Sequence, residues 1–256
     1  DSIIKIDSGK KWPNLAIFAW VHGNEVCWVE LFQKVIQTIK ITKWAIYFCY
    51  ANLKAIEKNT RSIEVNLNRC FQKNEKFQWT YEKGRAVELM KILDKCDALL
   101  DIHASFTKDS VPFVICEKQS FNIAKILPNF PIRSNWWDII EPWWSDWYMN
   151  SKWKIWICIE CWYLWDEKWK NRAEDWLYHF LKYFWVIEKN FLWEKISLKE
   201  NNNQKEIFVD KIYITKNNFT LEKLFKDFQE IKKWELIWTD WNKKIFAMWN
   251  EVIIFA

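Results

Sequence analysis

The sequence predicts an α/β fold: a mainly parallel or mixed central sheet with helices on both faces, followed by a small C-terminal β appendage. Three observations carry this. Short, continuous apolar runs read as strands buried on both faces. Between them lie segments with apolar residues at helical spacing. Strand alternating with helix then implies a largely parallel sheet.

Taken in order, residues 14–20 (Asn-Leu-Ala-Ile-Phe-Ala-Trp) read as the first buried strand. Residues 25–40 follow with Leu31, Phe32, Val35, Ile36 and Ile39 on one helical face. Residues 44–50 read as a second strand, and the polar residues 52–83 as a long irregular stretch, of a length that is usually functional or mobile. A helix is expected over 84–95, strands over 97–102 and 112–116, and a short helix over 119–127. A second polar, turn-rich stretch covers 128–153, before a strand at 154–159 and a long helix at 168–187. After about residue 195 the texture changes. Asn201-Asn202-Asn203 reads as a linker, and Glu206–Thr215, Leu236–Trp238, Lys244–Met248 and Val252–Phe255 read as short strands. The expected division is therefore a main domain over 1–195 and a small β-rich domain over 196–256.

The composition departs from this ordinary picture at one point. The chain has 22 Trp and 3 Gly in 256 residues, where a typical domain of this size carries about 18 Gly. The positions agree with the counts: Trp20 and Trp28 flank His-Gly-Asn-Glu, Trp143-Trp144 sits in a Pro-led turn, and Trp162 closes Ile-Glu-Cys-Trp. Such places often require positive φ or close approach of the backbone, which Gly supplies and Trp does not. The pattern is that expected if glycine codons had been read through the wrong table, as when UGA, glycine in some bacteria, is read as Trp.

The net charge of +5 is modest and the charges are interspersed, which favours a solvated surface over nucleic-acid binding. No run of 18 apolar residues is present, so no membrane partner is expected. The seven cysteines are scattered, and only Cys158-Ile-Glu-Cys161 has C-x-x-C spacing. That pair ends a buried strand rather than opening a helix, so a redox or metal role is not expected. The cysteines read as reduced, and the protein as cytoplasmic. No signal peptide is visible, and the chain starts at Asp1 without Met.

Chemistry concentrates near predicted strand ends. Of the three histidines, His22 follows strand 14–20 and His103 follows strand 97–102, while Glu160 ends strand 154–159. In open α/β sheets ligands bind beyond the carboxyl ends of strands. His22-Gly-Asn-Glu25 places an imidazole and a carboxylate three residues apart, where both can reach one ion. Two His and one Glu suit Zn²⁺ and leave a fourth position for water, the donor set of a catalytic zinc site. Asp101 lies two residues before His103 and is either a supporting carboxylate or a simple strand-end charge. Between these ligands, Arg61, Asn68 and Arg69 in the long loop can hold carboxylate groups. His179 reads as an ordinary helix residue, and Tyr148 and Tyr163 as packing residues.

The ordered set His22-Gly-Asn-Glu25, Asn68-Arg69, Asp101-Ile-His103 and Ile-Glu160-Cys-Trp162 resembles the succinylglutamate desuccinylase/aspartoacylase family of zinc carboxypeptidase-like hydrolases. The resemblance spans about residues 10–190. With glycine at 20 and 162 the motifs become Ala-Gly-Val-His-Gly-Asn-Glu and Ile-Glu-Cys-Gly, closer still to the family. The resemblance implies that His22, Glu25 and His103 hold zinc, and that Glu160 is the general base for water at the metal. It further implies that Arg61 polarises the scissile carbonyl, and that Asn68 and Arg69 bind a substrate carboxylate. The family often has Asp-Leu-Asn-Arg where this chain has Asn66-Leu-Asn-Arg69, which raises the question of what anchors that loop. The implied function is a zinc-dependent amidohydrolase acting on a small N-acyl amino acid or related amine. A metallocarboxypeptidase and a non-catalytic binding domain on the same scaffold are the alternatives.

Overall fold

A computed structural model of the chain describes residues 2–10, 13–72, 75–108, 110–127, 132–134, 143–165, 168–187, 204–209 and 219–254. Its centre is an eight-stranded mixed sheet in the order β1-β3-β2-β4-β7-β5-β6-β8. The strands are β1 (Ile3–Asp7), β2 (Asn14–Ala19), β3 (Ala45–Tyr50), β4 (Ala98–Ser105), β5 (Phe113–Ile115), β6 (Ile132–Ser134), β7 (Ile155–Tyr163) and β8 (Glu206–Phe208). Strands β3, β2, β4 and β7 run parallel, while β1 and β5 pair antiparallel with β3 and β7.

Alternation sets the two faces of the inner strands. Leu15, Ile17 and Ala19 of β2, with Leu100 and Ile102 of β4 and Ile157 and Ile159 of β7, join one core. Helix α1 (Trp28–Thr38) and the helix over Lys168–Tyr183 cover it with Leu31, Phe32, Val35, Leu177 and Phe180. On the other face Ala16, Phe18, Leu99, Trp156 and Cys158 form a second core. Helix α3 (Tyr81–Leu93) supplies Ala86, Leu89 and Leu93 there, and α5 (Ser145–Asn150) supplies Tyr148 and Met149. Each fully buried Leu, Ile or Phe contributes about 1.5–3 kcal/mol by leaving water, so the inner strands are fixed from both sides.

Several elements differ from the sequence expectation. The helix expected from residue 25 begins at Trp28, because His22–Glu25 close a tight turn in which Glu25 N–H donates to the His22 carbonyl at 3.2 Å. The stretch 52–83 is not irregular throughout. It holds helix α2 (Leu53–Lys58), a 3-10 turn at Leu67–Arg69 and the first residues of α3, which Thr80 caps through a bond from Lys83 N–H. The turn-rich stretch 128–153 contains β6, the short α5 and residues outside the described set. Strands β4 and β7 run past the expected ends, so His103 and Glu160 lie within strands rather than after them. The boundary drawn at 195/196 and the linker 201–203 lie outside the described residues. Beyond them, β8 pairs with β6 in the main sheet. The tail then forms a three-stranded and a two-stranded sheet of its own.

Of the ten described non-glycine residues with positive φ, seven are tryptophans: 20, 44, 143, 153, 185, 234 and 241. Their local structures are those in which glycine is usual. Trp153 N–H donates to Asn150 and Lys154 N–H to Met149, the paired bonds of a Schellman helix end with Trp153 (φ 56°) at the left-handed position. Trp185 occupies the same position where its N–H meets Lys182 and Val186 N–H meets Leu181. Trp241 (φ 55°) is the first turn residue between paired Asp240 and Lys243, the glycine position of a type II′ hairpin. Trp28, which opens α1, does not share this conformation.

Candidate metal centre

His22 and Glu25 lie on the turn after β2, and His103 comes from the neighbouring β4. Their ligand atoms all lie within 4.8 Å of one another, and all three residues are buried. Glu25 Oε1 is the hub, 2.8 Å from His22 Nδ1 and 3.7 Å from His103 Nδ1. The second carboxylate oxygen is anchored elsewhere: Glu25 Oε2 accepts the Ala104 backbone N–H at 3.3 Å and Trp28 Nε1 at 3.4 Å. Asp101 Oδ1 lies 3.3 Å from His103 Nε2, which orients that ring with Nδ1 toward Glu25. Ser145 Oγ in turn donates to Asp101 Oδ2 at 2.5 Å.

The electrostatics follow from packing two imidazoles around a buried carboxylate. Burial alone would raise the Glu25 carboxyl, but His103 and then His22 outweigh it and hold its pKa down at about 2. Burial would lower His103, yet Asp101 and Glu25 raise it well above the usual histidine value. His22 is lowered, chiefly by burial, against the opposing pull of Glu25. Arg61 adds a small push in the same direction as burial. A buried His-Glu-His cluster of this kind fits a divalent cation of the Zn²⁺ type.

Gly23 is required by contact. A Cβ there would meet the backbone of Ala55 at 2.1 Å and of Ile56 at 2.4 Å, so α2 can lie against the metal turn only at glycine. The same turn touches the Arg61 loop, with Gly23 N–H donating to the Arg61 carbonyl at 3.3 Å.

The strand register brings Glu160 to the site: its Cα pairs with that of His103 across β4 and β7. Counting by twos puts His103 and Asp101 on the α3/α5 face of β4, and Glu160 with Cys158 on the same face of β7. A register shift follows, between His103 and Ser105, a common feature beside active sites. Asn68 is buried and accepts the Ser145 N–H at 3.4 Å, while the Arg69 guanidinium lies 5.0 Å from the Trp144 ring centroid. Arg61 has an exposed side chain. Asn66 answers part of the anchoring question, since its Oδ1 accepts Asn68 N–H at 2.9 Å, a bond an amide makes as readily as a carboxylate.

The remaining titratable candidates lie elsewhere. His179 donates to the Asp175 carbonyl within its own helix at 2.7 Å. Tyr148 OH donates to Asp94 at 2.7 Å, and the Tyr163 ring packs 5.1 Å from that of Trp165. Burial pushes the Cys158 and Cys161 thiols well up, away from thiolate chemistry. Two supporting residues escaped the sequence reading. Ser145 gave no signal, and Glu82 looked like an ordinary acid in an irregular stretch.

The fold, a mixed sheet with helices on both faces, is shared by known proteins. Residues 11–132 match the family model described as the succinylglutamate desuccinylase/aspartoacylase catalytic domain. It is 28% identical over 125 residues to a probable aspartoacylase of Trichodesmium erythraeum, covering 44% of this chain and 43% of that one. It is 34% identical over 80 residues to a succinylglutamate desuccinylase of Pseudomonas putida, covering 30% of this chain and 24% of the relative. The matched stretches thus span less than half the length of these curated relatives. Among solved structures, the product-bound Ectoine utilization protein EutE of Ruegeria pomeroyi superposes with a TM-score of 0.76 at 16% identity, covering 98% of this chain and 82% of that one. A succinylglutamate desuccinylase/aspartoacylase structure from Rhodobacter sphaeroides gives a TM-score of 0.73 at 15% identity, covering 98% and 81%. Among the described residues no helix is long and apolar enough to cross a membrane.

Proposed function

We propose that this chain is a cytoplasmic, zinc-dependent amidohydrolase that removes an acyl group from an N-acyl amino acid or related amine. The observation that carries the reading is the convergence of His22, Glu25 and His103 within 4.8 Å, beside a carboxylate, Glu160, in register with His103. The family match and the names of the relatives favour a deacylase over a carboxypeptidase.

His22 and His103 would hold the ion through Nδ1, and Glu25 through Oε1. When bound, zinc acidifies a water and polarises the scissile carbonyl. Glu160 would serve as the general base, taking a proton from the attacking water and giving it to the leaving amine. Arg61 stabilises the negative charge that grows on the carbonyl oxygen. Asn68 and Arg69 hold a carboxylate of the substrate. Asp101 keeps the His103 ring in the orientation that presents Nδ1.

Zinc content and hydrolysis of a panel of N-acyl amino acids test this. About one zinc per chain, lost in His103→Ala, is expected from a three-ligand site. Glu160→Gln should keep the metal while turnover collapses. A folded, zinc-supplied protein without metal would overturn the reading.

We also propose that most of the tryptophans are glycine positions, written as Trp where UGA is glycine. What supports this is that seven of ten positive-φ non-glycine residues are Trp. Trp20 adds a second sign: it is fully buried beside the metal turn, with no hydrogen-bond partner for its indole N–H. Sequencing the coding DNA tests it, since UGG at these positions ends the reading.

A further inference from the structure

We propose that Glu82 is a positioning residue for Arg61: its buried carboxylate sets the backbone of the loop on which that guanidinium stands. The inference rests on the deacylase reading, in which Arg61 faces the scissile carbonyl.

Glu82 lies in the first turn of α3 and is fully buried. A buried carboxylate is costly unless hydrogen-bonded, and three of the four donors to this one are consecutive backbone N–H groups. Oε1 accepts Ile63 N–H at 2.6 Å and the Asn52 side-chain amide at 3.5 Å. Oε2 accepts Glu64 N–H at 3.3 Å and Val65 N–H at 3.4 Å. Successive backbone N–H groups turned on one anion form a nest, here built around a side chain of the same molecule. The contact is reciprocal, because Glu64 Oε2 accepts Tyr81 N–H at 2.6 Å, at the start of the helix that carries Glu82.

The helix is itself fixed to the sheet. Arg85 is buried and donates to the carbonyls of Ala51 at 2.8 Å and Tyr50 at 2.9 Å, just past β3. Asn52 joins the same assembly, its N–H donating to the Trp20 carbonyl at 3.0 Å, two residues before His22. Arg61 is therefore bracketed. Its carbonyl accepts Gly23 N–H from the metal turn, and residues 63–65 are clamped by Glu82. An exposed guanidinium gains direction from the backbone beneath it, and Glu82 adds a second anchor to the one Asn66 makes with Asn68 N–H. The bonds to Glu82 come from Asn52, Ile63, Glu64 and Val65, none of them a tryptophan.

The test is a double-mutant cycle of Glu82→Gln with Arg61→Ala in the zinc-loaded protein, with hydrogen exchange of the amides of residues 63–65 as a second readout. A glutamine presents one oxygen and one NH₂ group, so either Ile63 or the Glu64–Val65 pair loses its acceptor. In Glu82→Gln, kcat should fall by roughly ten- to hundredfold, the scale of a misplaced catalytic group. KM for the N-acyl amino acid and zinc content should change little, because Asn68 and the metal ligands are held by other bonds. In the Arg61→Ala background the same change should cost almost nothing. Exchange at residues 63–65 should quicken while that of β3 stays slow. Additive losses in the cycle, or unchanged exchange at 63–65, would overturn the proposal. If the parent protein hydrolyses no N-acyl amino acid, the deacylase reading fails, and the exchange measurement still decides whether Glu82 sets the loop. Should the Gln chain not fold, Glu82→Asp, which keeps both oxygens but withdraws them by one methylene, is expected to show the same pattern with a smaller loss.

Discussion

Trp153 offers a direct measurement of backbone strain. Its side chain is 86% exposed, so truncation removes little packing. Its φ of 56° and its place at a Schellman helix end put an L-residue in the left-handed region, at a cost of about 1–2 kcal/mol. Against this, Gly in place of Ala frees the unfolded chain by about 0.4–1 kcal/mol. Comparing Trp153→Gly with Trp153→Ala cancels the loss of the indole and leaves Gly ahead by roughly 1 kcal/mol. Urea or thermal unfolding reads this as about 2–4 °C in Tm for a chain of this size. The control is Trp79, which is 89% exposed and is not among the positive-φ residues. There Ala should be better than Gly, so the sign reverses between the two sites. Equal or greater stability of the Ala variant at 153 would refute the reasoning. The distant positions 185 and 241 should add to the gain from 153.

Other outcomes follow from the site. Gly23→Ala sets a Cβ against the Ala55 and Ile56 backbone; α2 must move, and both zinc content and Tm should fall. Asp101→Asn should weaken zinc binding by about 10–100-fold, the usual scale for an outer hydrogen-bond partner of a ligand, with an unchanged far-UV spectrum. In metal-free protein, Glu25 has a folded pKa of about 2 against an ordinary 4.5. A depressed carboxyl stabilises above its unfolded pKa and loses that contribution as pH falls through the folded one. The stability gap between the parent and Glu25→Gln should therefore be full above pH 4.5 and close as the pH falls toward about 2; a gap that widens on acidification would contradict the assignment.

The inner strands were legible because burial on both faces leaves an unbroken apolar run. Leu15–Phe18 and Ala98–Leu100 have little other reading, and β2 and β4 formed there. The site residues were legible for a different reason, since histidines are rare in this chain and two fall beside such runs. What escaped was set by partners far along the chain. Strand β1 has a half-exposed pattern and exists through antiparallel pairing with β3. Helix α2 has six residues, too few for periodicity to show. Glu82 stands among polar residues in sequence, and only the return of residues 63–65 to α3 gives its burial a cause. Strand β7 continues past residue 159 because β4 pairs with it as far as Ser105, and that pairing places His103 opposite Glu160.

The pairing of β8 with β6 matters to anyone who would cut the chain. A fragment ending at residue 195 would keep His22, Glu25, His103 and the whole of α6 (Lys168–Tyr183) but lose Glu206–Phe208. The outer row of β6 amides and carbonyls would then face solvent as a bare template for any other extended chain. Such a fragment should bind its neighbours edge to edge and precipitate for want of one three-residue strand, although its His22–Glu25–His103 cluster is intact.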